Sequence, residues 1–350
     1  MTTIDVVIFF GYLIGITIFG GSIYRENKTS SAFTLGDNQI SGWVIGMSIF
    51  ATFVSSISYL ALPGEAYMAN WNAFVFSLSI PIAIVVALYV FAPHHRKINS
   101  PSTYTYRGNR LGSWDRKYVS TYYFLTQLMR ISLNLYLLAL AIHVILGWNI
   151  ATIIIVTGLT VIIYSVRGGI QTGVWPSAIQ AIILLAGAFF CIGYILIYLP
   201  YGPEQLFVVA MEHTKFSLGS FDLNVFESAF WVVLIYGSFI NLQNYGINQN
   251  YDQRYVAAEN YKEVCCSVLY GGLLYIPVAA FFQFIGTVLY TFYGKLPADL
   301  VEASGRDHIF PYFIFDELPA GITDLHCLYF FGENEHDFNQ PEQFGNRIPY

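Results

Sequence analysis

The chain is short of charge. Of 350 residues only 11% are Asp, Glu, Lys or Arg, where a soluble domain carries about 25%. Sixteen basic and 22 acidic side chains cannot coat one or two soluble domains of this length. Cysteine is scarce too: Cys191, Cys265, Cys266 and Cys327 are the four, none at metal-ligand spacing, so a disulfide scaffold and a zinc module are excluded. A formal charge of −6 provides no basic surface for nucleic acid, and polarity is too low for a disordered chain. What is abundant is apolar surface: 55% of residues are hydrophobic and 18% aromatic. The composition predicts an all-α polytopic membrane protein embedded in a lipid bilayer.

Apolar stretches of about 20 residues mark bilayer-spanning helices. They fall at roughly 4–24, 42–69, 71–92, 118–146, 149–165, 172–199, 226–246 and 264–293, about eight transmembrane helices. The first is not expected to be a cleaved leader, because Asp5 precedes it, no basic segment does, and no small-residue cleavage site follows. Basic residues report orientation. One set of alternate loops holds Arg25, Lys28, Arg96, Lys97, Arg107, Arg110, Arg116, Lys117, Arg167, Arg254 and Lys262; the opposite set with the tail holds Lys215, Lys295, Arg306 and Arg347. The first set is expected in the cytoplasm, with the N-terminus outside a cell (plasma or inner) membrane. Gly168-Gly169 permits a tight cytoplasmic turn between the fifth and sixth spans.

The span 42–69 is interrupted. It carries hydroxyls at Ser48, Thr52, Ser55, Ser56 and Ser58, followed by Pro63-Gly64. Proline removes a backbone donor and crowds the preceding turn, so unwinding is expected near 59–64. Two readings stand: a proline kink in a packing helix, or an unwound segment of the kind secondary transporters use to present carbonyls to Na⁺.

Three stretches go further. SAFTLGDNQISGWVIGMSIFATFVSSISYLALPGEAY (31–67), YSVRGGIQTGVWPSAIQ (164–180) and NLQNYGINQNYDQRYVAAENYKE (241–263) together resemble the sodium:solute symporter family, over roughly residues 4–325. The resemblance implies a LeuT-like inverted-repeat helix bundle, here partial. It implies coupling of inward Na⁺ flow to uptake of a small organic solute by alternating access. The sodium site it implies uses backbone carbonyls of the first core helix, which fall on Ala51 and Val54, together with a carbonyl and serine hydroxyls of the eighth core helix, which this sequence does not match. The aspartate of a further family sodium site is absent, since Trp175-Pro176-Ser177 stands at that place. Substrate contacts are implied at Ser55, Ser58, Ser77, Gln127, Arg130, Asn241 and Tyr245. Ser58 and Ser77 stand where sugar-carrying members have a glutamine and a glutamate, which weakens a sugar reading.

Arg130 is informative without the resemblance. It is a lone charge in mid-span, costing roughly 2.5–3.5 kcal/mol on insertion scales, and such residues face a cavity or partner. Gln127 and Asn134 lie one turn to either side on the same face. A guanidinium fork fits a carboxylate, and the resemblance implies that role here, so the expected solute is acidic, a carboxylate or a sialic-acid-like molecule. A helix-packing arginine is the alternative. In 246–254, Asn248, Gln249, Gln253 and Arg254 are expected mainly to cap the end of the seventh span.

After residues 318–325 (LPAGITDL) the text changes to HCLYFFGENEHDFNQPEQFGNRIPY, whose apolar run is too short to span a bilayer. The expectation is a symporter-like transmembrane domain at 1–325 with an incomplete second repeat and a divergent polar tail at 326–350, which leaves open a non-transporting remnant. An enzyme is not expected: there is no HExxH, no intramembrane Asp or Glu pair, and His94-His95 read as part of a solvated basic loop while His143 reads as packing. Neither is a channel or a nucleic-acid binder.

The orientation has a direct check. An epitope tag inserted in the 107–117 segment of intact cells should resist an external protease, while one in 213–224 should be cleaved; the reverse pattern would refute the charge-based topology.

Overall fold

The computed structural model describes residues 41–54, 56–98, 103–146, 148–199, 202–224, 226–293 and 309–318, together with Gly15. Over 56–60 and most of 160–184 only the backbone is described. The expected first span and the tail lie outside the described residues. Among the described residues the elements are helical, with no strand.

The interrupted span forms two helices, α1 (Gly42–Phe53) and α2 (Ser56–Met68). A 3-10 turn (Trp71–Ala73) then leads into α3 (Phe74–Leu78), α4 (Ile80–Val86), a π segment (Ala87–Phe91) and α5 (Ala92–Ile98), a rod jogged at Ser79. There follow α6 (Thr103–Leu111), α7 (Ser113–Leu146), α8 (Ile150–Tyr198), α9 (Glu204–Glu212), α10 (Phe230–Ile247), α11 (Gln249–Ala257), α12 (Tyr261–Tyr293) and α13 (Ile309–Asp316). Two continuous stretches, Trp71–Lys97 and Tyr261–Tyr293, are individually long and apolar enough to cross a membrane.

Two expectations are corrected. The discontinuity is not at 59–64: α2 runs through Pro63, and α1 instead ends at Phe53, with Val54 out of the helix at φ −86° and ψ 77°. A hydroxyl competes with the helix ladder there. Thr52 Oγ1 donates to the Ser48 carbonyl at 2.9 Å, a back-bond that bends helices. Pro63 is accommodated because its neighbour is a glycine: a Cβ on Gly286 would collide with the Pro63 carbonyl oxygen. The second correction concerns 149–199. No turn forms at Gly168-Gly169, and α8 is one helix of 49 residues, about 74 Å long at 1.5 Å per residue. Glycine permits a turn without imposing one, at a cost of only about 1 kcal/mol per residue within a helix.

α12 is the spine. It packs along both α1 and α2, while α8 lies on α1, α10 on α3 and α4, and α13 on α2. Small residues set the approach: Gly46 meets Ser267 and Tyr270, and Gly271 meets Ile49 and the Gly46 carbonyl. In a bilayer, where lipid competes equally for apolar surface, such close backbone contact is the main source of helix association. At the start of α1, the Gly42 N–H donates to Glu263 Oε2 at 2.6 Å, a carboxylate placed against a helix N-terminus.

At the other end of this pair, Lys215 clamps the exit of α2. Its Nζ donates to the carbonyls of Tyr67 at 2.6 Å and Ala69 at 3.2 Å and lies 3.8 Å from the Tyr290 ring centroid. Cations stabilise helix C-termini and aromatic faces, which offsets the burial that pulls this ammonium below the usual lysine value. Ser217 accepts from the Trp71 N–H at 2.9 Å, tying the same loop to the start of the next rod.

Gly286→Ala should therefore lower the melting temperature, at a cost on the order of 1–3 kcal/mol for overpacking against backbone. Gly193→Ala, with nothing within 4 Å of its added methyl, should leave the melt unchanged or raise it slightly. Thermal unfolding in detergent compares the two; equal behaviour would refute the packing account.

Candidate functional site

Six elements converge where α1 stops. The end of α1 contributes Thr52 and Phe53, α3 contributes Phe76, α7 Arg130, α10 Asn244, α11 Tyr251 and α12 Tyr275. Together with Asn248 they line an inner cavity of about 140 Å³. The lining pairs one cation with amides and hydroxyls, set against aromatic walls. Phe53 organises those walls, with ring centroids 5.3 Å from Tyr275, 5.8 Å from Tyr245 and 6.0 Å from Tyr251.

Asn248 marks a second discontinuity. α10 ends at Ile247, Asn248 is extended (φ −79°, ψ 115°), and helix resumes as α11. The sequence reading ended the helix here and made the polar run a surface cap. Instead the described side chains of α11 are buried, and Asp252, Arg254 and Tyr255 each meet a partner on another element. Asp252 Oδ1 lies 3.2 Å from His95 Nε2 of α5. Arg254 Nη1 donates to Thr52 Oγ1 at 2.9 Å. The Tyr255 hydroxyl donates to the Tyr245 carbonyl at 3.0 Å. Arg96 Nη1 donates to the carbonyls of Tyr255 (2.9 Å) and Ala258 (2.8 Å) at the end of α11. His95 thus sits on a helix, 6% exposed, and not in a solvated loop. His143, expected to pack, is exposed, with Nδ1 2.6 Å from the Trp148 carbonyl.

A larger cavity of about 750 Å³ adjoins the first. Its polar lining comes from Glu65 of α2, Asn70, Asn72, Ser77, Ser220, Glu227 and Ser228. Phe76 and Tyr275 line both cavities.

The expected site residues divide. Arg130 lines the inner cavity, and Gln127 and Asn134 on the same face of α7 are buried, so the face reading from spacing is correct. Ala51 and Val54 flank Thr52 at the break. Ser77 lines the outer cavity, with its hydroxyl donating to the Phe74 carbonyl at 2.7 Å. Asn241 and Tyr245 are fully buried and line neither cavity. The Asn241 Nδ2 donates to Ser79 Oγ at 2.9 Å, while its Oδ1 has no hydrogen-bond partner. Ser55 lies outside the described residues, and at Ser58 only the helical backbone is described. Sequence reasoning missed Tyr251, Tyr275 and Phe76, aromatics in apolar runs with nothing local to distinguish them from core. Among the described residues no group of three or more His, Cys, Asp or Glu could hold a metal ion.

Comparison with known proteins places this geometry. The sodium:solute symporter family model matches residues 33–318. The sodium/sialic acid symporter SiaT of Proteus mirabilis is 29% identical over 324 residues, covering 92% of this chain and 65% of that protein. The human sodium/iodide cotransporter is 26% identical over 322 residues, covering 90% of this chain and 50% of that protein. The chain thus spans between half and two thirds of the length of these relatives. A solved structure of a Na⁺-coupled sialic acid symporter, in a substrate-bound outward-open state, superposes with a TM-score of 0.90 at 26% identity, over 99% of this chain and 75% of that one.

If Phe76 divides the two cavities, a cysteine at Asn244, in a background without native cysteines, should react slowly with a membrane-impermeant thiol reagent. Adding Phe76→Ala should speed that labelling at least tenfold. Equal rates would show that Phe76 does not limit access.

Proposed function

The chain belongs to the sodium:solute symporter family, as a multi-pass membrane protein of LeuT-like fold, and from that premise we propose that it is a secondary active transporter. It couples inward Na⁺ flow to uptake of a small organic acid. The observation that carries the reading is the position of Arg130. A mid-span guanidinium opens onto a small polar cavity beside a break in the adjacent helix.

The chemistry follows from the parts. Na⁺ is a hard cation that takes oxygen ligands, and carbonyls become available where a helix ladder stops. Ala51 and Val54 flank such a stop, so they are assigned as backbone ligands of the transported ion. Arg130 takes the solute's carboxylate, as a planar fork does best. At about 140 Å³ the inner cavity is small beside the ~300–1,000 Å³ of ordinary ligand pockets. It holds the acid group and a few atoms more, and a bulkier solute such as sialic acid extends past Phe76 and Tyr275 into the outer cavity. Ser55, Ser58, Ser77 and Gln127 are assigned to polar contacts with the solute. Asn241 and Tyr245 support that wall from behind, through Ser79 and the Phe53 cluster.

The outer cavity is the entry route. Its lining residues Gly219, Ser220, Glu227, Ser228 and Ala229 and the Lys215 clamp belong to the basic-poor set of loops, and the Arg96 contacts belong to the basic-rich set. The protein then sits in the plasma or inner membrane with its N-terminus outside. Residues 1–325 form the transport domain, with 326–350 as a separate polar tail.

Proteoliposomes with an inward Na⁺ gradient should accumulate a labelled acid, sialic acid or a small monocarboxylate, and K⁺ should not replace Na⁺. Arg130→Ala should weaken binding of that acid roughly 10- to 100-fold, the equivalent of about 1.5–3 kcal/mol for a hydrogen bond to a charged group. Unchanged affinity in Arg130→Ala would sink the assignment, and absence of Na⁺-driven flux would favour the non-transporting remnant.

A further inference from the structure

Arg254 has no part in the carboxylate site or among the ion's carbonyl ligands, yet it is 4% exposed and reaches the end of α1. Its donor–acceptor arrangement is chemically consistent. The Thr52 hydroxyl uses its one proton on the Ser48 carbonyl at 2.9 Å, so the lone pair remains to accept from Arg254 Nη1, also at 2.9 Å. The guanidinium carbon lies 5.9 Å from the Tyr251 ring centroid. Arginine stays charged at any accessible pH, so this link does not come and go with protonation.

The helix that carries Arg254 is firmly held. Asp252 meets His95 of α5, Tyr255 meets the Tyr245 carbonyl of α10, and Arg96 holds the carbonyls at the helix end. On the same short segment, Asn248 and Tyr251 line the inner cavity with Arg130. One rigid element therefore touches the solute cavity on one side and the last turn of α1 on the other.

From this we infer that Arg254 is a positioning residue for the coupling ion: through Thr52 it fixes the end of α1, and with it the carbonyls of Ala51 and Val54, in register with the Asn248–Tyr251 wall of the solute cavity. The inference rests on the sodium reading above. It has a competing effect to overcome, because a buried cation near an ion site also repels Na⁺. The two effects predict opposite signs. Loss of positioning raises the Na⁺ concentration needed for half-saturation, and loss of repulsion lowers it.

The test is a Na⁺ titration of the purified protein at constant ionic strength against KCl, read as the shift in melting temperature, with no solute present. Thr52→Val removes the hydrogen bond and keeps the charge; it should raise half-saturating Na⁺ at least fivefold. Thr52→Ser restores the hydroxyl and should return it to within twofold of wild type. Arg254→Gln should act in the same direction as Thr52→Val, and the double variant should be no worse than the more affected single one. The melt in KCl alone reports folding; should Thr52→Val fail to fold, Arg254→Lys carries the test, since it keeps the charge and loses the planar fork. Unchanged Na⁺ dependence in Thr52→Val or Arg254→Lys, tighter Na⁺ binding in Arg254→Gln, or additive effects in the double variant would overturn the inference alone. A wild-type protein that responds equally to Na⁺ and K⁺ would overturn the sodium reading as well.

Discussion

A helix that stops inside a bilayer must have its backbone groups satisfied by protein, because lipid offers no hydrogen bonds. The end of α1 at Val54 imposes that constraint on everything around it. α12 answers it along the length of both half-helices, with glycines at Gly271 and Gly286 admitting the backbones of α1 and α2. Glu263 holds one end of the pair and Lys215 the other. Between them, α11 brings Arg254 to Thr52 one residue before the helix ends. The break is thus a braced discontinuity, and the inner cavity lies beside it because that is where six elements have to meet to brace it.

The bracing also explains how so uncharged a chain can bury ionic groups. Asp252, Arg254 and His95 are each less than a tenth exposed, and each has a partner contributed by another element. Removing one member of such a set strands another, which costs far more than the pair contributes to stability. Groups of this kind therefore fix geometry more than they add stability, which suits an element that must hold α1 in a defined position relative to a cavity.

Much of this was legible in the sequence, for physical reasons that differ by residue. Arg130 could be placed by elementary energetics, since a lone charge in mid-span needs a polar cavity or a partner, and the spacing of Gln127 and Asn134 gave the face. The basic-residue asymmetry put Arg96 in one set of loops and Lys215 in the other; in the fold Arg96 binds the end of α11 and Lys215 the far end of α2, while Arg167 lies within α8 and not in a loop. The interruption was assigned to the right span but the wrong turn. Proline is the visible breaker, yet Gly286 absorbs Pro63 while the quieter Thr52 back-bond sits just before the real break. Gly168-Gly169 read as a turn because glycine allows one, and the helix passes through. α11 was illegible as a buried helix. Its run NQNYDQRY is polar by any local measure, and its partners His95 and Thr52 lie about 157 and 202 residues away in sequence.

If one rigid element joins the ion carbonyls to the solute cavity, the two ligands must assist each other by the same factor, as linkage requires. Titration calorimetry of the wild-type protein with the transported acid, across a series of Na⁺ concentrations balanced with K⁺, tests this directly. The account predicts that affinity for the acid rises with Na⁺ and that Na⁺ affinity rises equally when the acid is bound. Acid affinity independent of Na⁺ would contradict it.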